Sequence, residues 1–220
     1  MTENEQYKIL IVDDHALMRE GLKLVLEADQ RFTVVGEANN GFTAVTIYRK
    51  LRPDLVIMDL SMPQMDGQSA IREIKELDPN SKILVLTVHE ADEYVFSALR
   101  SGANGFILKA SDRSELMSAI IDLLEGKPYL SPNISQQVIQ GYLTGKEAIR
   151  NDQSTNVLTP RELEVLRCIA SRLKNKDIAK KLFISVKTVE KHRANIMKKL
   201  ELHSSTELIA FAEAAGLIEA

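Results

Sequence analysis

Residues 55–67 have the sequence LVIMDLSMPQMDG and carry the strongest indication of the fold. The four consecutive apolar residues predict a strand that is buried on both faces, as in a parallel sheet. Asp59 follows at once, and because an unpaired carboxylate is costly in a core, we expect it where the strand emerges. Pro63 and Gly67 then favour a turn. Ligand sites collect at the carboxyl ends of parallel strands, so Asp59 is the first candidate functional residue, with a simple turn-capping role as the alternative.

The composition narrows the class of protein. A length of 220 residues allows one large or two small domains. No apolar run approaches the roughly 18 residues that a membrane span requires, and residues 1–6 lack the apolar segment of a signal peptide. The single cysteine, Cys168, cannot form an internal disulfide, which fits a reducing compartment. We therefore expect a cytoplasmic protein with no membrane partner.

Charge is distributed unevenly along the chain. Residues 1–157 carry 16 basic and 23 acidic residues, a net charge of −7, whereas residues 158–220 carry 12 and 8, a net charge of +4. Within residues 172–199 there are 10 basic and 2 acidic residues. A basic segment on an otherwise acidic chain is typical of a nucleic-acid contact surface, although a solvated lysine-rich face is the simpler explanation.

The first half of the chain alternates between strands and helices. Besides the central strand, apolar runs predict strands near residues 8–12, 32–38, 83–86 and 105–108. Between them lie helical patterns, and in the first of these Leu17, Leu22 and Leu26 are expected on one buried face. Five strands and five helices in this order predict a doubly wound α/β domain with a five-stranded parallel sheet.

Polar residues follow four of these strands, namely Asp13 and Asp14, Asp59, Thr87 and Lys109. Right-handed crossovers bring the carboxyl ends of parallel strands to one edge, so these side chains should converge. Three clustered carboxylates repel one another unless a hard cation binds, and Mg²⁺ suits such a site. Asp59 could then act as an oxygen nucleophile towards phosphorus, with Lys109 and Mg²⁺ neutralising phosphoryl oxygens and Thr87 hydrogen-bonding one of them.

Residues 8–126 resemble a response-regulator receiver domain with its flavodoxin-like sheet. The matching positions are Asp13, Asp14, Asp59, Pro63, Asp66, Gly67, Thr87 and the segment 105–109. The resemblance implies that Asp59 is the phospho-acceptor and that Asp14, Asp59 and the backbone carbonyl of Ser61 bind Mg²⁺, with Asp13 binding mainly through water. It also implies that Thr87 and Lys109 sense the phosphoryl group, and that a sensor histidine kinase or a small phosphodonor supplies it.

Three further positions follow from the same resemblance. The aromatic residue that moves with the threonine in this family falls at Phe106, which has no hydroxyl, so a switch through Thr87 and Phe106 must act by packing alone. Ser61 and His89 lie where the family tunes dephosphorylation.

The segment between the two halves contains a short predicted helix that reaches about Leu143. Residues 144–157 are polar and lack periodicity, which predicts a flexible linker. We therefore expect a receiver domain over residues 1–127, a short helix and linker over 128–157, and a second domain over 158–220.

The second domain is predicted to contain four helices. Thr159, Pro160 and Glu162 form a helix-start signal of the Thr-x-x-Glu type. Asn175 is expected to cap the second helix, the third runs from Val186 to about Leu200, and residues 204–207 cap the fourth. Two short helices joined by a tight turn, the second of them basic, predict a helix-turn-helix in a small all-α domain.

Two stripes of different character are expected on the third helix. The apolar stripe consists of Val189, Ile196 and Leu200, and the basic stripe consists of Lys187, Lys191 and Lys198, with Asn195 at its edge. Because the apolar stripe packs inward, the basic stripe should face solvent. We expect this helix to enter a DNA major groove, with Lys191 contacting a base and Thr188 and Lys198 contacting phosphates.

Residues 158–216 resemble the LuxR-type DNA-binding domain of NarL/FixJ regulators, through the segments 158–166, 175–179 and 186–192. Together the two resemblances imply a two-component transcription regulator that binds promoter double-stranded DNA after phosphorylation of Asp59, as a homodimer. It would not be an enzyme beyond its own phosphorylation and dephosphorylation.

Two rivals remain at this stage. A Mg²⁺-dependent aspartyl-phosphate phosphatase would carry a second Asp two residues after the nucleophile, where this chain has Ser61. A receiver that only dimerises, without phosphate, would not need the full set of polar strand-end residues.

Overall fold

The computed structural model describes residues 6–89, 91–143 and 158–214. The chain divides into two compact units, residues 1–144 and 145–220, each of which is described by itself. Within the described ranges no helix is long and apolar enough to cross a bilayer.

The first unit is built on a fully parallel sheet. Its strands are β1 (Tyr7–Val12), β2 (Phe32–Ala38), β3 (Leu55–Met58), β4 (Ile83–Thr87), β5 (Gly105–Leu108) and β6 (Tyr129–Leu130), in the spatial order β2-β1-β3-β4-β5-β6. The predicted doubly wound α/β fold is confirmed, but the prediction of five strands was wrong. The sixth strand has only two residues and follows Pro128, so it leaves no periodic signal in the sequence.

Helices cover both faces of the sheet. They are α1 (Ala16–Glu27), α2 (Gly41–Leu51), α3 (Gly67–Leu77), α4 (Asp92–Arg100), α5 (Arg113–Leu124) and α6 (Pro132–Leu143). Side chains of β1 alternate between two fully buried clusters: Ile9 and Ile11 face α1 and α5, whereas Leu10 and Val12 face α2, α3 and α4. The four residues of β3 are all buried, as the continuous apolar run predicted.

One side of α1 differs from the sequence expectation. Leu22 and Leu26 are buried, but Leu17 is 82% exposed. At 100° per residue, Leu17 lies about 140° from Leu22 and about 180° from Leu26, so the three cannot share one face. The apolar side chain of Leu17 therefore lies on the outer surface of the helix.

Helix α6 packs on the first unit. Ile134 is fully buried in the same cluster as α2, α3 and α4, and Gly141 lies so close to the Phe96 ring that a Cβ there would collide with it. The predicted short helix is therefore present. The linker predicted over residues 144–157 lies outside the described residues.

The second unit is all-α over its described residues, 158–214, as predicted. Its described helices are α7 (Pro160–Ala170), α8 (Asn175–Lys181), α9 (Val186–Lys199) and α10 (Ser205–Ala214). They enclose one apolar core that includes Val165, Ile178, Val189 and Leu208. The capping prediction for α8 was wrong: Asn175 is the first helical residue, and Lys174 occupies the N-cap without a side-chain hydrogen bond.

Gly67 is required by a close approach of two backbone segments. A Cβ at this position would collide with the carbonyl oxygen of Asp59 and with the Cα of Leu60. We expect Gly67→Ala to destabilise the first unit by about 1–3 kcal/mol, because the start of α3 must move away from the end of β3. The measurement is chemical denaturation followed by a probe in the first unit.

Gly21→Ala is the matched control, since Gly21 lies exposed in α1 with no atom within 4 Å of the added methyl group. It should stabilise the helix by about 0.5–1 kcal/mol. Equal stability of the two variants would contradict the close-approach argument.

Candidate functional site

The polar strand ends of the first unit meet at one edge of the sheet, as predicted. Asp13 follows β1, Asp59 follows β3, Thr87 ends β4 and Lys109 follows β5. Asp13, Asp59 and Thr87 are almost completely buried, with exposures of 1%, 3% and 0%. Carboxylate oxygens of Asp13, Asp14 and Asp59 lie within 4.8 Å of one another, and these three residues are called the acidic pocket.

Lys109 neutralises part of the acidic pocket. Its Nζ atom lies 2.6 Å from Oδ2 of Asp13 and 2.9 Å from Oδ2 of Asp59. Burial alone would lower the pKa of this ammonium group, but the two carboxylates outweigh burial and the pKa is raised above its ordinary value. Lys109 therefore remains charged in the pocket.

The acidic pocket carries more negative charge than Lys109 can neutralise. Burial raises the pKa of the Asp59 carboxyl, and the ammonium group of Lys109 only partly opposes this effect. With three ionised carboxylates and one ammonium, the net charge is −2, which one divalent cation would balance. Mg²⁺ prefers oxygen ligands, and all three residues of the acidic pocket supply carboxylate oxygens. The Asp14 side chain is 31% exposed, so the pocket is open to solvent on this side. The donor set thus fits a hard dication.

Backbone contacts fix the two buried aspartates. The Asp59 N–H donates to the carbonyl of Val12 at 2.8 Å, so the ends of β3 and β1 are held together. Arg19, a residue that the sequence did not single out, donates from Nη1 to the carbonyl of Asp13 at 2.8 Å and pairs with Glu37 at 3.2 Å. The long arginine side chain thus joins α1 and β2 to the loop of the acidic pocket.

Ser61 and His89 form a hydrogen-bonded pair beside Asp59. Their Oγ and Nε2 atoms are 2.7 Å apart, and the His89 ring stacks on Tyr94 with centroids 4.0 Å apart. The sequence analysis placed both residues near the site but did not predict this hydrogen bond. It joins the loop after β3, which carries Ser61, to the loop after β4, which carries His89. The Ser61 N–H points to Oδ1 of Asp59 at 3.4 Å.

The predicted switch residues lie in different environments. Thr87 Oγ1 accepts a hydrogen bond from the His89 N–H at 3.3 Å, which leaves the hydroxyl proton available as a donor. Phe106 is fully buried in the core cluster, with no exposed edge. The buried ring is consistent with a packing role, and its function as a switch stays a prediction.

The second candidate site is the outer face of α9. Lys187, Lys191 and Lys198 are all exposed, whereas Val189 and Ile196 on the opposite side are fully buried. Thr188 and Asn195 are half-buried at the edges of the stripe. The structure therefore presents the basic stripe to solvent along one side of the helix, as predicted.

Polar contacts within the second unit fix the direction of α9. Glu162, only 2% exposed, completes the predicted capping box with Thr159 and also accepts a 2.7 Å ion pair from Lys199 at the end of α9. Arg161 donates to the carbonyl of Leu182, at the end of α8, at 2.7 Å. Ser185 caps the start of α9 through the Thr188 N–H. The helix that carries the basic stripe is thereby tied at both ends.

Two family models match the chain. Residues 9–121 match the response regulator receiver domain, and residues 156–212 match the bacterial regulatory proteins of the luxR family. The chain belongs to the LuxR-type response regulators. It is thus a two-component transcription regulator, with a receiver domain followed by a DNA-binding domain, and not a metabolic enzyme.

Individual relatives support this assignment, two of them over 96% of the chain. The oxygen regulatory protein NreC of Staphylococcus carnosus is 40% identical over 215 residues, covering 96% of this chain and 99% of the relative. A LuxR-family response regulator from Aurantimonas is 35% identical with a TM-score of 0.60, covering 63% of this chain and 99% of that structure. A structure of two RcsB dimers bound to two parallel DNAs is 29% identical with a TM-score of 0.58, covering 96% and 99%.

Lys109→Met should destabilise the first unit in the absence of divalent cations. Two buried carboxylates lose their shared ammonium, which should cost on the order of 3 kcal/mol at neutral pH. Mg²⁺ should recover more stability in this variant than in the wild type, because the pocket is then more negative. Thermal denaturation with EDTA and with Mg²⁺ measures both effects.

Lys127→Met serves as control, since Lys127 is 64% exposed and forms only a surface pair with Glu125. Its stability should be indistinguishable from that of the wild type, because exposed ion pairs contribute little. If Lys109→Met behaved like this control, the buried ion pairs would not contribute to folding.

Proposed function

We propose that Asp59 is the phospho-acceptor of this regulator and that a sensor histidine kinase supplies the phosphoryl group. The observation that carries the proposal is the position of Asp59, which is buried between Lys109 and the other carboxylates of the acidic pocket. A phosphoryl-transfer site needs an oriented oxygen nucleophile and fixed positive charge near the phosphoryl oxygens. Lys109 supplies the fixed charge.

Asp14, Asp59 and the backbone carbonyl of Ser61 would hold Mg²⁺, with Asp13 acting through water. When bound, the metal supplies charge neutralisation for the phosphoryl oxygens. An oxygen of Asp59 attacks phosphorus, and the bond to the donor breaks as the new acyl-phosphate bond forms. Lys109 would pair with the new negative charge, and the Thr87 hydroxyl would donate a hydrogen bond to a phosphoryl oxygen.

The neighbouring Ser61 argues against an aspartyl-phosphate phosphatase. Its hydroxyl is hydrogen-bonded to His89, and no carboxylate stands at this position to protonate a leaving group. The buried Asp13, Asp59 and Lys109 set, in turn, argues against a receiver that only dimerises, because unphosphorylated association needs no such charge arrangement.

The output is binding of promoter DNA by α9. The exposed basic stripe supplies phosphate and base contacts, and two copies of a helix-turn-helix bind half-sites about one helical turn apart. We infer that the homodimer forms on DNA, which accords with the dimers seen in the related RcsB structure.

Because the target is DNA, we infer a cytoplasmic location. We assign phosphorylation to residues 1–127, DNA binding to 158–220, and the connection between them to 128–157.

Asp59→Asn should abolish phosphate uptake from a small phosphodonor, since an amide is neither nucleophilic nor charged. Intact-protein mass spectrometry with and without Mg²⁺ measures the gain of one phosphoryl group. Asp66→Asn is the matched control in the same loop. Asp66 caps α3 through the Ser69 N–H, a role that asparagine fills equally well. Uptake by Asp59→Asn at the wild-type rate, or its loss in Asp66→Asn alone, would exclude Asp59 as the acceptor.

Two lysine substitutions in α9 should affect DNA binding in different ways. Lys191→Ala should cost about 1–3 kcal/mol on the specific site and reduce discrimination between sequences, as expected for a base contact. Lys198→Ala should weaken binding to all sequences alike and lower the salt slope by about 1, as expected for a phosphate contact. Fluorescence anisotropy at several salt concentrations measures both quantities.

Lys50→Ala, on the exposed side of α2 in the first unit, should change neither quantity. If the two α9 variants gave the same isotherms and salt slopes as this control, the basic stripe would be only a solvated surface.

A further inference from the structure

The turn between α8 and α9 carries a large apolar side chain in solvent. Phe183 is 95% exposed, the highest value for a large apolar residue in the part of the chain that the structure describes. Its neighbours Leu182 and Ile184 are half-buried and pack on the apolar core of the second unit. The ring of Phe183 therefore contributes almost no apolar contact to the fold of this unit.

The backbone of the turn fixes this outward position. The Phe183 N–H donates to the carbonyl of Lys180 at 3.4 Å, and the Ile184 N–H donates to the carbonyl of Ala179 at 3.0 Å. These two bonds form a Schellman C-cap of α8, which places Phe183 in the left-handed region with φ at +53°. Glycine is the usual residue at this position, and a bulky aromatic residue adopts the conformation only at a cost. The turn thus holds a strained residue whose ring is exposed.

Two other C-caps of the second unit show that the conformation does not by itself select an aromatic residue. Arg172 after α7 and Glu201 after α9 have φ values of +56° and +55°. The next residues, Leu173 and Leu202, close the same kind of cap, with hydrogen bonds of 3.1 and 2.8 Å. Both of these positions carry an exposed charged side chain, whereas the equivalent position at the turn carries an apolar ring. The choice of residue at the turn therefore points to a contact outside the unit.

The surroundings of Phe183 are basic. Residues 178–189 contain three lysines, Lys180, Lys181 and Lys187, and no acidic residue, and all three lysines are exposed. In a helix-turn-helix the first helix crosses the DNA backbone and the second enters the major groove with its N-terminal residues. These helices are α8 and α9 here, so the turn that joins them lies beside the sugar–phosphate strand at the edge of the groove. The deoxyribose rings of that strand are apolar surfaces between charged phosphates.

We propose that Phe183 packs against a deoxyribose of the DNA backbone, while the lysines around it pair with the adjacent phosphates. The proposal rests on the DNA-binding role of α9 and adds a contact outside that helix. Contacts to sugars carry no direct sequence information, and an uncharged ring releases no counterions. Phe183 therefore raises affinity for every sequence without adding to the salt slope, a combination that neither a lysine contact nor a base contact produces.

The test is fluorescence anisotropy of the full-length protein on two DNA duplexes, one of A·T pairs and one of G·C pairs, at several salt concentrations. Phe183→Asn removes the ring, and asparagine adopts the left-handed conformation more readily. The variant should bind both duplexes about five- to tenfold more weakly, which corresponds to the loss of burial of one ring face. Its salt slope and its midpoint of thermal unfolding should not fall. Phe183→Tyr keeps the ring and should retain the wild-type affinity.

Glu201→Asn is the matched control, because it introduces the same residue at the equivalent C-cap of α9. Removing an acidic side chain should not weaken binding to DNA. Unchanged affinity in Phe183→Asn would overturn the proposal. A loss confined to the A·T duplex would instead assign the ring to a base contact. A lower salt slope would mean that the ring only positions a lysine, and an unfolding midpoint below that of Glu201→Asn would make its role structural.

Lys198→Ala separates this proposal from the proposed function, since it should weaken binding to both duplexes and lower the salt slope. If Lys198→Ala behaved in this way and Phe183→Asn bound as the wild type does, only the sugar contact would be overturned. A wild-type protein that bound neither duplex would contradict the DNA-binding role of α9 itself, and the sugar contact with it.

Discussion

The ion pairs between Lys109 and the carboxylates of Asp13 and Asp59 are the interaction on which the first unit depends. They join the ends of β1, β3 and β5 across the centre of the sheet. An ammonium shared by two buried carboxylates leaves a net negative charge, so the pocket is both cohesive and incompletely neutralised. The net negative charge that limits stability would favour the binding of a dication.

The sequence predicted the sheet and the convergence of its polar strand ends because both follow from local pattern and from the handedness of crossovers. Asp13, Asp59, Thr87 and Lys109 each follow an apolar run directly, so parallel pairing alone brings them together. The four helices described in the second unit were equally accessible to prediction, and Val189 and Ile196 mark the inward stripe of α9. The roles of these residues in phosphorylation and DNA binding stay predictions.

Other features depend on contacts between distant segments, which a sequence pattern does not encode. The contact between Ser61 and His89 joins two loops, and Arg19 reaches the carbonyl of Asp13 from a neighbouring helix. Strand β6 is too short for a periodic signal, and its place in the sheet depends on its pairing with the distant strand β5. The exposure of Leu17 could have been predicted, because helical phase alone places it opposite Leu26.

The contacts that fix α9 have a consequence for domain exchange. Glu162, Lys199, Arg161 and the carbonyl of Leu182 all belong to one stretch of about forty residues, and each bond joins two members of that stretch. These contacts, which orient the helix that carries the basic stripe, therefore all lie within the second unit. We therefore expect α9 to keep this orientation when the second unit is joined to a receiver with a different input, so that recombination between regulators could pair new signals with new promoters.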